Sequence, residues 1–324
     1  ELNPGLINAA NWLNNAYISS GQPAKALALL EDVMRRDPLY KPGLGNLSFL
    51  YLLMGQPEKS RALVEKARPF ISQDANIWWL DGVTRYMAGE SAEALPFMEK
   101  AVQLSPDDRV YRRQKGQVLL QTHQYERVAA EGYWKEKVVA LRHLDRLEEA
   151  TRIAQNRAAE GEILEYFRML NATDQSALLA GYLEERWADL DAFALDFPVN
   201  GYVGYQFMVE VALAYKRAGR QSRFEEAMIK VRTAHDSLAS QGLSNRVFFT
   251  NEAAYYAMAE DRSRALDFLA AAIDAGMVFA VRITEDLPFF TDFEGDPEYE
   301  AIQARMMDHV NEQRARLALE PIST

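Results

Sequence analysis

Three stretches decide the fold: GQPAKALALLED at residues 21–32, GQPEKSRALVEK at 55–66 and GESAEALPFMEK at 89–100. They begin 34 residues apart, and the columns hold position by position. Gly21, Gly55 and Gly89 lead them. Ala26, Ser60 and Ala94 follow, then Leu30, Val64 and Met98, then Val33, Ala67 and Ala101. Pro38 and Pro106 close the first and third units, with Ser72 between them. Upstream, Tyr17 and Tyr51 share one column and Ser48 and Gly82 another, which Gly116 extends.

Each column has a physical task. Glycine sits between two helical patterns, where the chain turns back on itself. The Ala/Ser column lets two helices approach, and the large apolar residues fill the gap to the next pair. Proline ends one pair and opens the next turn. A unit of 34 residues with this pattern resembles the tetratricopeptide repeat family, best over residues 7–108. The resemblance implies an all-α superhelical solenoid of antiparallel helix pairs with a concave groove, and it names no ligand.

The helix pairs read as 7–17 with 23–35, 42–53 with 57–69, and 76–87 with 91–104. Beyond Asp107 the register degrades: His123 takes the place of the turn glycine and Gly132 interrupts the expected second helix. A pair follows at 134–144 and 147–159, and residues 161–195 are helical by periodicity. Residues 196–201, DFPVNG, read as a joint. After it come pairs at 209–218 with 224–238 and at 246–259 with 263–275. Residues 278–293 are aromatic and irregular, and 299–317 read as a polar terminal helix of the kind a solenoid needs as a cap. The chain therefore divides into three regular repeats (1–108), degenerate helical repeats (109–195), a second repeat-like block (196–277) and an irregular segment with a capping helix (278–324). The second block and the ending resemble the C-terminal repeat arrays of bacterial signalling proteins of adenylate-cyclase and winged-helix regulator type. That resemblance rests on Ala265-Leu266 with Ala271-Ala272, Gly276, Leu287-Pro288-Phe289-Phe290 and Asp296-Pro297.

The chain has 324 residues and a formal net charge of -11, which argues against broad binding to nucleic acid or anionic lipid. It has no cysteine, so disulfide and thiol chemistry are excluded, while a cytoplasmic and a periplasmic location both stay open. No signal peptide is visible, and no apolar run approaches the roughly 18 residues of a membrane span. The chain starts at Glu1 directly within a repeat pattern and reads as a piece of something longer.

In a helix pair of this type the first helix lines the groove. That face carries Asn8, Asn11 and Asn15 in the first repeat, Asn46 and Phe49 in the second, and Asn76, Trp79 and Tyr86 in the third. Amides can hold an extended peptide by its backbone, and the aromatics anchor its side chains. Some members of the family clamp a C-terminal carboxylate with Lys and Arg. Here the corresponding places hold Asn11, Asn76 and Leu80, so that clamp is not formed. Arg109, Arg112, Arg113 and Lys115 are the candidates for an anionic partner.

No catalytic residue is assigned. His123, His143, His235 and His309 are not spaced as metal ligands, and the alternating acids from Asp292 to Glu300 read as a helix start rather than a calcium loop. The sequence thus points to a binding scaffold or sensory module of a larger bacterial regulator, with a protein or peptide as partner and no cofactor. A small-molecule sensor or an enzyme working inside the superhelix is the alternative, and monomer and homo-oligomer stay undecided.

Overall fold

The computed structural model describes residues 4–197 and 202–322, with side chains over 9–197 and 204–322. The described residues are all-α. The first array comprises α1 (Pro4–Ser19) and α2 (Pro23–Arg36), α3 (Lys41–Leu53) and α4 (Pro57–Ile71), α5 (Ala75–Met87) and α6 (Ser91–Leu104), and α7 (Arg109–Gln121) with a short α8 (Tyr125–Glu131). It continues through α9 (Trp134–His143) and α10 (Leu147–Ala159), α11 (Leu164–Ala172) and α12 (Ser176–Arg186), and a single turn-rich α13 (Leu190–Asp196). The second block holds α14 (Tyr202–Arg217) with α15 (Gln221–Ser240) and α16 (Arg246–Met258) with α17 (Arg262–Asp274). The chain ends with α18 (Ile283–Asp286), a 3-10 turn over Pro288–Phe293, and α19 (Pro297–Arg316).

The columns explain the packing. A Cβ on Gly82 would lie 2.8 Å from the Met98 Cε, so the small column is what lets α5 and α6 close. Leu30, Val64 and Met98 of the next column are fully buried, each worth about 1.5–3 kcal/mol against exposure. Ser60 keeps its hydroxyl occupied inside the core, 2.6 Å from Ser48 Oγ and 2.9 Å from Thr84 Oγ1. Consecutive first helices touch one another (α3 with α5, α5 with α7, α7 with α9), forming the inner wall of a curved stack.

Residues 161–195, expected to be helical, hold the three helices α11, α12 and α13. Asp174 breaks the first junction at φ 57°, and Asp189 caps α13 by accepting from the Ala192 N–H at 2.7 Å. Of the joint read at 196–201, residues 198–201 lie outside the described ones. His123, at φ 49°, does take over the turn from glycine, and Gly132 does end α8 early.

Residues 244–316 fold back on the first repeats. One side chain per repeat caps the carboxyl end of an inner-wall helix, where carbonyls are left without helical partners. Asn245 Nδ2 donates to Leu53 O (2.9 Å) on α3, Arg246 Nη1 to Tyr86 O (2.7 Å) on α5, and Arg314 Nη1 to Thr122 O (2.6 Å) after α7. The two arginines also place positive charge at the negative end of a helix dipole. The turns join the same contact: His309 Nε2 donates to Gly89 O at 3.0 Å, and His123 Nε2 meets Phe279 O at 2.8 Å.

Candidate functional site

The inner wall is thereby split into two parts. Its amino-terminal part reaches solvent around Asn11, Gly45, Trp79 and Arg113 of α1, α3, α5 and α7. Its carboxyl-terminal part lies under residues 277–286.

In the solvent-facing part the repeat places residues 34 apart in a row: Asn11, Gly45, Trp79 and Arg113. Asn46 Nδ2 donates to Asn11 Oδ1 at 2.5 Å, which links the first two repeats across the groove floor. Gly45 leaves a notch beside Asn76, whose Nδ2 would be 3.8 Å from a Cβ there. Phe49 is 43% exposed on the same wall. Trp79 packs its ring against Tyr111, centroids 5.9 Å apart, and its Nε1 is buried without a partner. Asn15 is exposed and accepts from Asn14 Nδ2 at 3.1 Å. The side chain of Asn8 lies outside the described residues.

Tyr86 stands apart from the other groove residues. Arg246 lies over its ring at 4.1 Å from the centroid. Tyr86 also helps to line a half-open cavity of about 140 Å³ with Leu120, Tyr125, His143, Phe279 and Asp286. Asp286 pairs with Arg142 and, at 3.1 Å, with His143 Nε2, while Glu285 lies 3.3 Å from His143 Nδ1. Burial opposes the charge on Asp286, but Arg142 and His143 outweigh it and hold the carboxyl far below its ordinary range. Burial likewise opposes the His143 imidazolium, and the bonds to Asp286 and Glu285 overcome it, so its pKa is raised.

The basic cluster is dispersed over α7. Arg109 and Arg112 are exposed. Lys115 turns to Glu131, 2.9 Å away. Arg113 belongs to the groove row, half-exposed, with its Nε 3.4 Å from Glu136 Oε1. Glu136 is buried in the seam between α7 and α9; Gln117 Nε2 donates to the same Oε1 at 3.3 Å, and Oε2 has no partner. Burial pushes the Glu136 carboxyl up to about 7, with Arg113, the residue's own backbone N–H and Gln117 only partly offsetting it.

Sequence reasoning missed Tyr111 and Glu136. The helical stripe Glu136, Val139, Ala140 and His143 was the available signal for the second, since it puts a carboxylate on a packed face.

The family model of the tetratricopeptide repeat matches residues 17–80. No curated protein matches the chain. Among solved structures, that of Pseudomonas aeruginosa pilF covers 92% of this chain and 96% of its own, at 17% identity and TM-score 0.35. A tetratricopeptide repeat protein from Parabacteroides merdae covers 93% and 98%, at 15% identity and TM-score 0.36. YrrB, described as a repeat protein with an unusual peptide-binding site, covers 76% and 91%, at 17% identity and TM-score 0.28. At such identities and scores no ligand or site passes from these proteins to this one.

Proposed function

We propose, for a chain built on tetratricopeptide repeats, that it is a binding scaffold which takes an extended segment of another protein along the solvent-facing part of its inner wall and does no chemistry. The row from Asn11 to Arg113 carries this reading. It offers amides at Asn11, Asn46 and Asn76, exposed or half-exposed rings at Phe49 and Trp79, and a cation at its end. Backbone groups of an extended segment suit the amides, and its side chains suit the rings. The scaffold would serve as the sensory or docking part of a larger bacterial regulator. An enzyme or small-molecule sensor inside the superhelix is the second reading; the half-open cavity beside Tyr86, about 140 Å³, is below the roughly 300 Å³ of an ordinary ligand pocket.

The test is site-specific photo-crosslinking in native extract. A crosslinker at Phe49 should capture a partner that one at Leu178, exposed elsewhere on the array, does not. Replacing Asn11 and Asn46 by Ala together leaves neither amide stranded. It should weaken that partner roughly 5- to 100-fold, from two bonds of about 0.5–1.5 kcal/mol each. Equal capture at both positions, or an unaffected double variant, rejects the groove.

A further inference from the structure

We propose that Arg113 is the anion-receiving point of the groove and that Glu136 competes with the ligand for it, so that an acidic segment docks with uptake of a proton by Glu136. This rests on the groove reading above and adds the chemistry of the segment.

Arg113 ends the row 11, 45, 79, 113, with half of its side chain exposed. Arg109 stands one turn before it on α7, and no acidic residue occurs between 109 and 115. A partner moving along the wall from the amides past Trp79 therefore arrives at local positive charge within an otherwise acidic protein. The guanidinium is only loosely held. Its contact with Glu136 is a single Nε at 3.4 Å, far from a two-pronged carboxylate fork.

Glu136 is correspondingly under-supported. Its Oε1 shares two long contacts, and its buried Oε2 has none. Among the charged groups around it, Arg113 attracts and Glu165 of α11 repels. Glu165 is itself met by Arg168 at 3.2 Å. On its own helix Lys135 turns away to Glu162, at 2.6 Å, and Glu131 of α8 is taken by Lys115 and Arg127. On α10, Arg157 lies over the Trp134 ring. Arg113 is therefore the main support of the Glu136 charge. A ligand carboxylate that draws Arg113 away leaves a buried carboxylate that does better as the acid, with the proton coming from solvent. The position of Glu136 near pH 7 means that this exchange falls within the physiological range.

The probes are a blocked alternating glutamate–leucine hexapeptide and its glutamine–leucine counterpart. Calorimetry in two buffers of different ionisation heat reads both affinity and protons. The acidic peptide should bind at least about tenfold tighter than the neutral one. Its affinity should fall about tenfold between pH 6 and pH 8, the drop expected when one site near 7 must take up a proton. Glu136→Gln should bind without proton uptake and without that pH dependence. Arg113→Gln should bind both peptides alike. The Glu136 carboxyl carbon resonance, followed in the unaltered protein, should titrate to higher pH when the acidic peptide is added, which keeps the test independent of any variant's folding. Equal affinity for both peptides, no binding of the acidic one, or a pH dependence that survives in Glu136→Gln each overturns the proposal. If both peptides bind equally and the Asn11, Asn46 double variant abolishes them, the groove stands and only its acidic ligand is lost.

Discussion

Gly89, in the turn of the third repeat, and Gly276, in the turn after α17, meet backbone to backbone. A Cβ on Gly276 would lie 2.5 Å from the Gly89 Cα and 2.6 Å from its N, and both residues have positive φ, 80° and 81°. No side chain can yield at this contact, because none is there. Gly276→Ala therefore combines a left-handed backbone cost of roughly 1–2 kcal/mol with a displacement of the two blocks of about 1–3 kcal/mol. Thermal unfolding should show a loss of about 2–5 kcal/mol. Gly161→Ala, also at positive φ but with nothing near its Cβ, should show only the smaller backbone part. Equal losses in the two variants would mean that the turns do not touch.

Arg246 closes the same junction. It is 2% exposed, donates to Tyr86 O at 2.7 Å and to Gly276 O at 2.6 Å, and lies over the Tyr86 ring. Arg246→Met keeps much of the volume and removes both donors. Two buried carbonyls then lose a charged partner, at about 1–3 kcal/mol each, so urea unfolding should register about 2–5 kcal/mol. A variant as stable as the parent would show that Arg246 does not hold the junction.

Much of this was readable beforehand, and the limit is physical. A fixed spacing of 34 reports which residues share a face, so the first six helices and their small column follow from it. Periodicity does not report where one helix gives way to the next when an aspartate marks the junction. The junctions at Asp174 and Asp189 are therefore not legible within the helical pattern of 161–195. Nor does it report contacts between residues some 190 positions apart, such as Asn245 to Leu53 or Arg314 to Thr122. For the candidate site, the row of Asn11, Gly45, Trp79 and Arg113 follows from the columns. The cover over Tyr86 comes from the fold-back, and no local pattern announces it.

His143 gives the junction a pH signature. Its pKa is raised on folding, against the cost of burial, by Asp286 and Glu285. A group raised in this way stabilises the fold fully below its unfolded pKa, about 6.5, and the contribution is lost as pH rises through the folded value. His123 is lowered, chiefly by burial, so its contribution is present above about 6.5 and lost only as pH falls through its lower folded value. Above pH 6.5 the His123 contribution no longer changes, and Glu136, whose raised carboxyl gives its own decline up to about pH 7, is removed by making the comparison in a Glu136→Gln background. The urea midpoint in that background should decline between pH 6 and pH 8.5, and adding His143→Gln should flatten the decline. Parallel profiles would remove His143 from the account.

The last prediction concerns the one repeat that departs from alanine in the small column. Ser60 stands where Ala26 and Ala94 stand in their repeats, and size alone would make Ser60→Ala harmless. The buried hydroxyl chain from Ser48 through Ser60 to Thr84 makes it otherwise. Ser60 is the middle link, so its loss leaves two neighbouring hydroxyls short of a partner at once, at a cost of about 1–3 kcal/mol. Replacing all three together, with Ser48→Ala, Ser60→Ala and Thr84→Val, removes donors and acceptors alike and keeps Thr84's shape. An apolar set of similar volume is close to neutral where a broken polar set is not. The triple variant should therefore lie within about 1 kcal/mol of the parent in urea unfolding and be more stable than Ser60→Ala. If the single variant is the more stable of the two, the hydroxyls are not acting as a chain, and Ser60 is in the column only for its size.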